Sequence, residues 1–190
     1  MRQRALRDAH CPLEGACIAD FACGRGGDLN KVNGCRRYWG VDVADLALRE
    51  LQRRADEIHL ANCTIVCRDA GTPGTVPEFP CDLALCNFAL HYFCDTEEHC
   101  QALLVNVAAC LRVGGTFAGI YLSNDACQAF GRAYHAKVGD CVDAVEYLVP
   151  FGRVVGMAYA LGMHLARMDP GAPACHCGCA TFVFVRVHLD

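Results

Sequence analysis

Ala16-Cys-Ile-Ala-Asp-Phe-Ala-Cys-Gly-Arg-Gly-Gly-Asp-Leu-Asn-Lys31 is an apolar run that ends beside a carboxylate, breaks into glycines and resumes as a polar segment. Residues 16–21 read as a buried strand, residues 23–27 as a tight turn, and Asp28 to Lys31 as the opening of a short helix. The unit then repeats. Arg37 to Asp42 is a second strand ending in a carboxylate. Ala44 to Glu57 is a helix, with Leu46, Leu48, Leu51 and Ala55 at apolar spacing. Residues 63–67 form a third strand with Asp69 just beyond it, and residues 81–86 a fourth. Glu97 to Leu111 is helical, Gly114-Gly115 stops the helix, and Thr116 to Leu122 is a fifth strand. Further helices are predicted over 2–9, 124–138 and about 147–161, and final strands near 163–168 and 180–188.

Strands alternating with helices make a parallel sheet covered on both faces. The last two strands have no helix between them, so they should pair antiparallel. The fold class expected is α/β: a Rossmann-like, doubly wound, mostly parallel seven-stranded sheet with a C-terminal antiparallel hairpin. No repeat, linker or low-complexity stretch divides residues 1–190, so a single domain is expected.

Composition narrows the function classes. With 54% hydrophobic and 20% charged residues, the chain is globular. No apolar run is long enough to cross a bilayer, and Met1 to Asp8 lacks the apolar core of a secretory signal, so no membrane partner and an intracellular location are expected. The sixteen cysteines are then reduced, and most sit singly in apolar segments as small hydrophobes. Cys175-His-Cys-Gly-Cys179 alternates thiols but lacks the spacing of structural zinc sites, so no metal is assigned. The net charge of −4 argues against a surface that grips long nucleic acid. It is uneven: residues 1–68 hold eleven Lys/Arg against nine Asp/Glu, residues 69–190 six against twelve. A mildly basic N-terminal half suits a few phosphates.

Asp20, Asp42 and Asp69 stand at three successive strand ends, beside the turn containing Gly24, Gly26 and Asp28. A carboxylate at the end of the second strand can accept from ribose hydroxyls. One at the end of the third can accept from an adenine amino group. The turn lacks the G-x-G-x-x-G spacing, which favours S-adenosylmethionine over a dinucleotide while leaving the latter open.

Three motifs carry a resemblance. Gly24-Arg-Gly-Gly-Asp-Leu-Asn-Lys31 resembles the G-K/R-G-G-D-L-x-K motif of mRNA cap guanine-N7 methyltransferases. Asn87-Phe-Ala-Leu-His-Tyr92 is similar to that family's Q-F-x-x-H-Y, and Asp143-Ala-Val-Glu-Tyr-Leu-Val149 to its later Glu-Tyr/Phe-Leu-Val segment. The resemblance implies methyl transfer from S-adenosylmethionine to N7 of the guanine of the 5′ mRNA cap. It implies that Phe88, His91, Tyr92 and Glu146 bind the guanine, and that Arg25, Lys31 and Arg54 meet the cap phosphates. Asp20, Gly24, Gly26, Asp28, Asp42, Asp69, Asn87 and Phe88 would then face the cofactor. No acid or base is needed, because guanine N7 carries a lone pair and no proton; positioning and electrostatics suffice.

Departures from the pattern are plain. Ala22 stands where the family has glycine, Gly119 to Asn124 lacks its Gly-Thr-x-Pro, and Cys179 occupies the place of an aromatic. The insert at about 123–146 is short and the N-terminal basic segment nearly absent, with Arg4 or Arg7 in place of a cofactor-binding lysine. The expected partners are therefore the capped 5′ end of mRNA and a subunit or capping-enzyme domain that completes the site. The resemblance places the chain in the nucleus, or in the cytoplasm if it serves a cytoplasmic virus or parasite. The alternatives are a methyltransferase of a small molecule or protein, and a non-catalytic subunit of a capping complex.

Overall fold

The computed structural model describes residues 13–123, 126–138, 142–169 and 178–188. The expected helix at 2–9, Arg4 and Arg7, and Cys175 and Cys177 lie outside them. β1 (Cys17–Phe21), β2 (Arg37–Asp42), β3 (Cys63–Cys67), β4 (Cys81–Asn87), β5 (Leu111–Leu122), β8 (Met163–Asp169) and β9 (Cys179–Arg186) form one seven-stranded sheet in the order β3-β2-β1-β4-β5-β9-β8. The first five are parallel, and β9 runs antiparallel to both β5 and β8.

Alternation along the strands sends side chains to two faces. Ile18, Leu83 and Leu85 meet Leu48, Leu51 and Ala55 of α2 (Asp45–Glu57) on one side. Ala19, Phe21, Ala84, Cys86, Phe117 and Phe182 face α3 (Glu97–Cys110) and α4 (Phe151–Ala160) on the other. β1 is buried along its whole length, as a central parallel strand must be. α1 (Leu29–Val32) is a single turn after the glycine loop. The chain winds outward from β1 to β3, then returns beside β1 at β4, which opens a crevice at the carboxyl ends of those strands. The described cysteines are free thiols, all buried except Cys63 and Cys67. Among the described residues no group of three ligating side chains could hold a metal, and no helix is long and apolar enough to cross a membrane.

Three local expectations are corrected. The helix expected over 124–138 does not form in its described part, residues 126–138: β6 (Ala133–Val138) pairs antiparallel with β7 (Val142–Tyr147) as a separate two-stranded sheet. The period there is two, with Ala136 buried between exposed His135 and Lys137. The following helix accordingly begins at Phe151, after β7 and Pro150, rather than at 147. β5 starts at Leu111, directly after α3, and the Gly114-Gly115 pair lies inside the strand, where its register against β4 shifts.

Candidate active site

A cleft of about 760 Å³ opens at the β1/β4 switch point. Its wall is assembled from the ends of four elements: Asp20 and the turn after β1, Asp42 to Ala44 after β2, Asp69 and Ala70 after β3, and Asn87 to Ala89 after β4. Asp42 holds the glycine turn. Its Oδ2 accepts from the Gly24 N–H at 2.8 Å and its Oδ1 from the Ala44 N–H at 2.9 Å. Gly24 sits at φ +52°, a left-handed conformation that glycine adopts without penalty. Asp20, 4% exposed, accepts from the Tyr38 hydroxyl at 2.9 Å. Asp28 pairs with Lys31 and accepts from Asn87 Nδ2 at 3.1 Å. Asn87 Oδ1 is buried without a hydrogen-bond partner, an acceptor left over in the cleft wall. Burial, with Asp20 and Asp42 adding to it, pushes the Cys23 thiol far up, so this cleft cysteine stays protonated.

Beside the cleft lies a second cluster. Tyr92, which lines the cleft, donates to Glu146 Oε1 at 3.3 Å, and Tyr134 donates to Oε2 at 2.6 Å. Burial and the carboxylate together raise both phenols, so both remain donors. His91 Nε2 lies 3.3 Å from Glu146 Oε1 without hydrogen-bonding alignment, and both of its buried ring nitrogens lack a partner. Burial lowers the His91 pKa, opposed by Glu146. β7 and the 3₁₀ turn Leu90–Phe93 bring these side chains together across 54 residues of sequence.

Most expected site residues therefore gather in two adjoining places. Asp20, Gly24, Asp28, Asp42, Asp69, Asn87, Phe88 and Tyr92 line the cleft, and so do Arg25 and Arg54. His91 and Glu146 contact Tyr92 beside the cleft and do not line it. Gly26 does not line it either: a Cβ there would fall 2.7 Å from Leu29 Cδ1, so it serves the packing of the turn. Lys31 is tied to Asp28 and does not line the cleft, and Arg54 is braced by Glu50 at 2.7 Å. Two residues were missed. Tyr134 was hidden by reading its segment as a helix. His99 lines the cleft against Asp69, and its position two residues inside a helix carried no signal.

A family model described as the mRNA (guanine-N(7))-methyltransferase domain matches residues 6–126. The chain belongs to the mRNA (guanine-N(7))-methyltransferase family. The match includes Gly24 to Lys31 and Asn87 to Tyr92, and it stops before Glu146. Relatives named mRNA cap guanine-N(7) methyltransferase include that of Candida albicans, 33% identical over 70% of this chain and 42% of its own length. That of Saccharomyces cerevisiae is 26% identical over 82% of this chain and 48% of its own. The chain thus spans about half the length of such relatives. Among solved structures, an S-adenosylmethionine dependent methyltransferase from Mesorhizobium loti superposes with a TM-score of 0.74 at 18% identity, covering 96% of both chains. One from Clostridium acetobutylicum gives 0.72 at 14% identity, covering 98% of this chain and 89% of that one. These likenesses establish the family member's fold as that of S-adenosylmethionine-dependent methyltransferases.

Proposed function

We propose that this family member transfers a methyl group from S-adenosylmethionine to N7 of the mRNA cap guanine. The observation that carries this reading is the cluster of buried Glu146 and His91 with Tyr92 and Tyr134, adjoining the cleft bounded by Asp42 and Asp69. The cleft suits the cofactor: Asp42 presents a carboxylate for ribose hydroxyls, Asp69 one for the adenine amine, and Asn87 Oδ1 an unused acceptor. When bound, S-adenosylmethionine supplies an electrophilic methyl group on a sulfonium.

The protein's part is to orient and to stabilise charge. Glu146 accepts from the guanine N1–H and exocyclic amine, and its negative charge favours the cationic product base. Tyr134 fixes the carboxylate from the far side. His91, with unpartnered ring nitrogens, offers the guanine a further hydrogen bond, and Phe88 and Tyr92 wall the base. Arg25 and Arg54 attract the cap phosphates. No residue takes a proton.

Tyr92 is 42% exposed, so the guanine side remains open to water. We infer that a partner subunit or neighbouring capping domain covers it, inside the cell where transcripts are capped. Methylation of capped RNA at the rates and affinities of full-length relatives by this chain alone would refute that part.

The main test is methyl transfer to GpppG-capped RNA. His91→Ala and Glu146→Ala should each lose about 100-fold or more in activity while binding the cofactor within a few-fold of the native chain. Asp42→Ala should lose cofactor affinity first. Retained activity in Glu146→Ala would remove the guanine assignment.

A further inference from the structure

Among the described residues, the Asp69 carboxylate is restrained through one oxygen. Its Oδ1 accepts from the Gly71 N–H at 2.8 Å and lies 3.2 Å from His99 Nε2. The other ring nitrogen of His99, Nδ1, lies 2.7 Å from Asp95 Oδ1, which also accepts from the Thr96 N–H at 2.8 Å. The imidazole is wedged edge-on against buried Phe93, with centroids 5.2 Å apart. A Cβ on Gly71 would fall 2.0 Å from His99 Cδ2, so the absence of a side chain at 71 is what lets the ring sit there. Burial works against a charge on His99, but Asp95 and Asp69 outweigh it and raise its pKa. Protonated, it donates to both carboxylates at once. Among the described residues no group donates to Asp69 Oδ2.

We propose that His99 is a positioning residue that locks Asp69 through Oδ1, leaving Oδ2 to select a 6-amino purine over a 6-oxo purine in the bound cofactor. The inference rests on Asp69 as the acceptor for the adenine amine. An amino group donates to the carboxylate, whereas a 6-oxo group meets it acceptor to acceptor. A site that pairs one group and leaves the other unpaired discriminates strongly, provided its own atoms are held in place. Asp69 is 45% exposed, so without His99 its carboxylate turns and hydrates freely, and the discrimination weakens.

Calorimetric titration of the whole chain with S-adenosylhomocysteine and with its 6-oxo analogue, S-inosylhomocysteine, tests this. The native protein should prefer the adenosyl compound by about 100-fold or more. His99→Leu should lose about tenfold toward the adenosyl compound and less than about threefold toward the inosyl compound, narrowing the preference. His99→Gln, whose amide still donates, should restore most of it. Asp95→Leu, which removes the group that holds Nδ1, should narrow the preference in the same direction, and serves as the deciding variant should His99→Leu fail to fold. An unchanged ratio in a folded His99→Leu or in Asp95→Leu overturns the proposal. Failure of the native chain to bind S-adenosylhomocysteine overturns instead the cofactor reading on which it rests.

Discussion

Ala22 and Phe88 both hold left-handed backbone, at φ +57° and +56°, and both line the cleft. Each L-residue in that conformation costs about 1–2 kcal/mol, strain that folded proteins tend to concentrate at functional sites. At Ala22 the family's usual glycine would carry no such cost, so this turn tolerates a methyl and little more. Ala22→Val should lower stability by about 2 kcal/mol or more and weaken S-adenosylhomocysteine binding, read by urea denaturation and calorimetry. An unchanged midpoint would show that the turn is not left-handed. At His99 the raised folded-state pKa sets the sign of a pH effect. Its stabilisation is complete below the unfolded value of about 6.5 and is lost as pH rises through the folded value. His91, lowered by burial, acts in the opposite sense: its contribution is present above about 6.5 and lost as pH falls. The stability difference between the native chain and His99→Gln, measured from pH 6 upward by denaturant titration, isolates the first effect and should shrink with rising pH.

Among the elements, β5 lies inside the sheet between β4 and β9, buried over its second half. A Cβ on Gly119 would fall 2.2 Å from the Cys86 carbonyl oxygen and 2.6 Å from Phe182 Cζ, and the first of these is backbone that cannot swing aside. Gly119→Ala should therefore cost on the order of 3 kcal/mol, measured as a shift in the unfolding midpoint. The central strands of the main sheet were legible because a strand buried between two helix layers reads as a short apolar run. The β6–β7 hairpin was not. It is six residues a side with one buried face, and Tyr134 and Glu146 occupy core-facing positions where a pattern reading looks for apolar residues. Its strandedness is visible only in the pairing Tyr134 opposite Glu146, which neither segment displays by itself.

At the scale of the whole molecule, two bodies divide the work. The seven-stranded sheet carries the cleft, and the separate hairpin carries Glu146 and Tyr134 to its rim. Because no ladder hydrogen bonds join the two sheets among the described residues, replacing residues 133–146 with a flexible Gly/Ser linker should leave a cooperatively folding core. S-adenosylhomocysteine affinity should stay within a few-fold, whereas binding of a GpppG cap analogue should be lost. Loss of both affinities together in a folded protein would show that the hairpin supports the cofactor side as well.

The glycine turn, the carboxylates at the strand ends and the order of the motifs were determined by the sequence alone, since each depends on neighbours a few residues away and on strand and helix periodicity. Only the tertiary structure decided that His91 and Glu146 gather on Tyr92 beside the cleft, that Gly26 packs the turn, that Lys31 is spent on Asp28, and that His99 braces Asp69. The physical reason is range. A hydrogen bond acts over about 3 Å, and whether two side chains 30 or 54 residues apart come within that distance is set by strand order and packing, which no local pattern encodes.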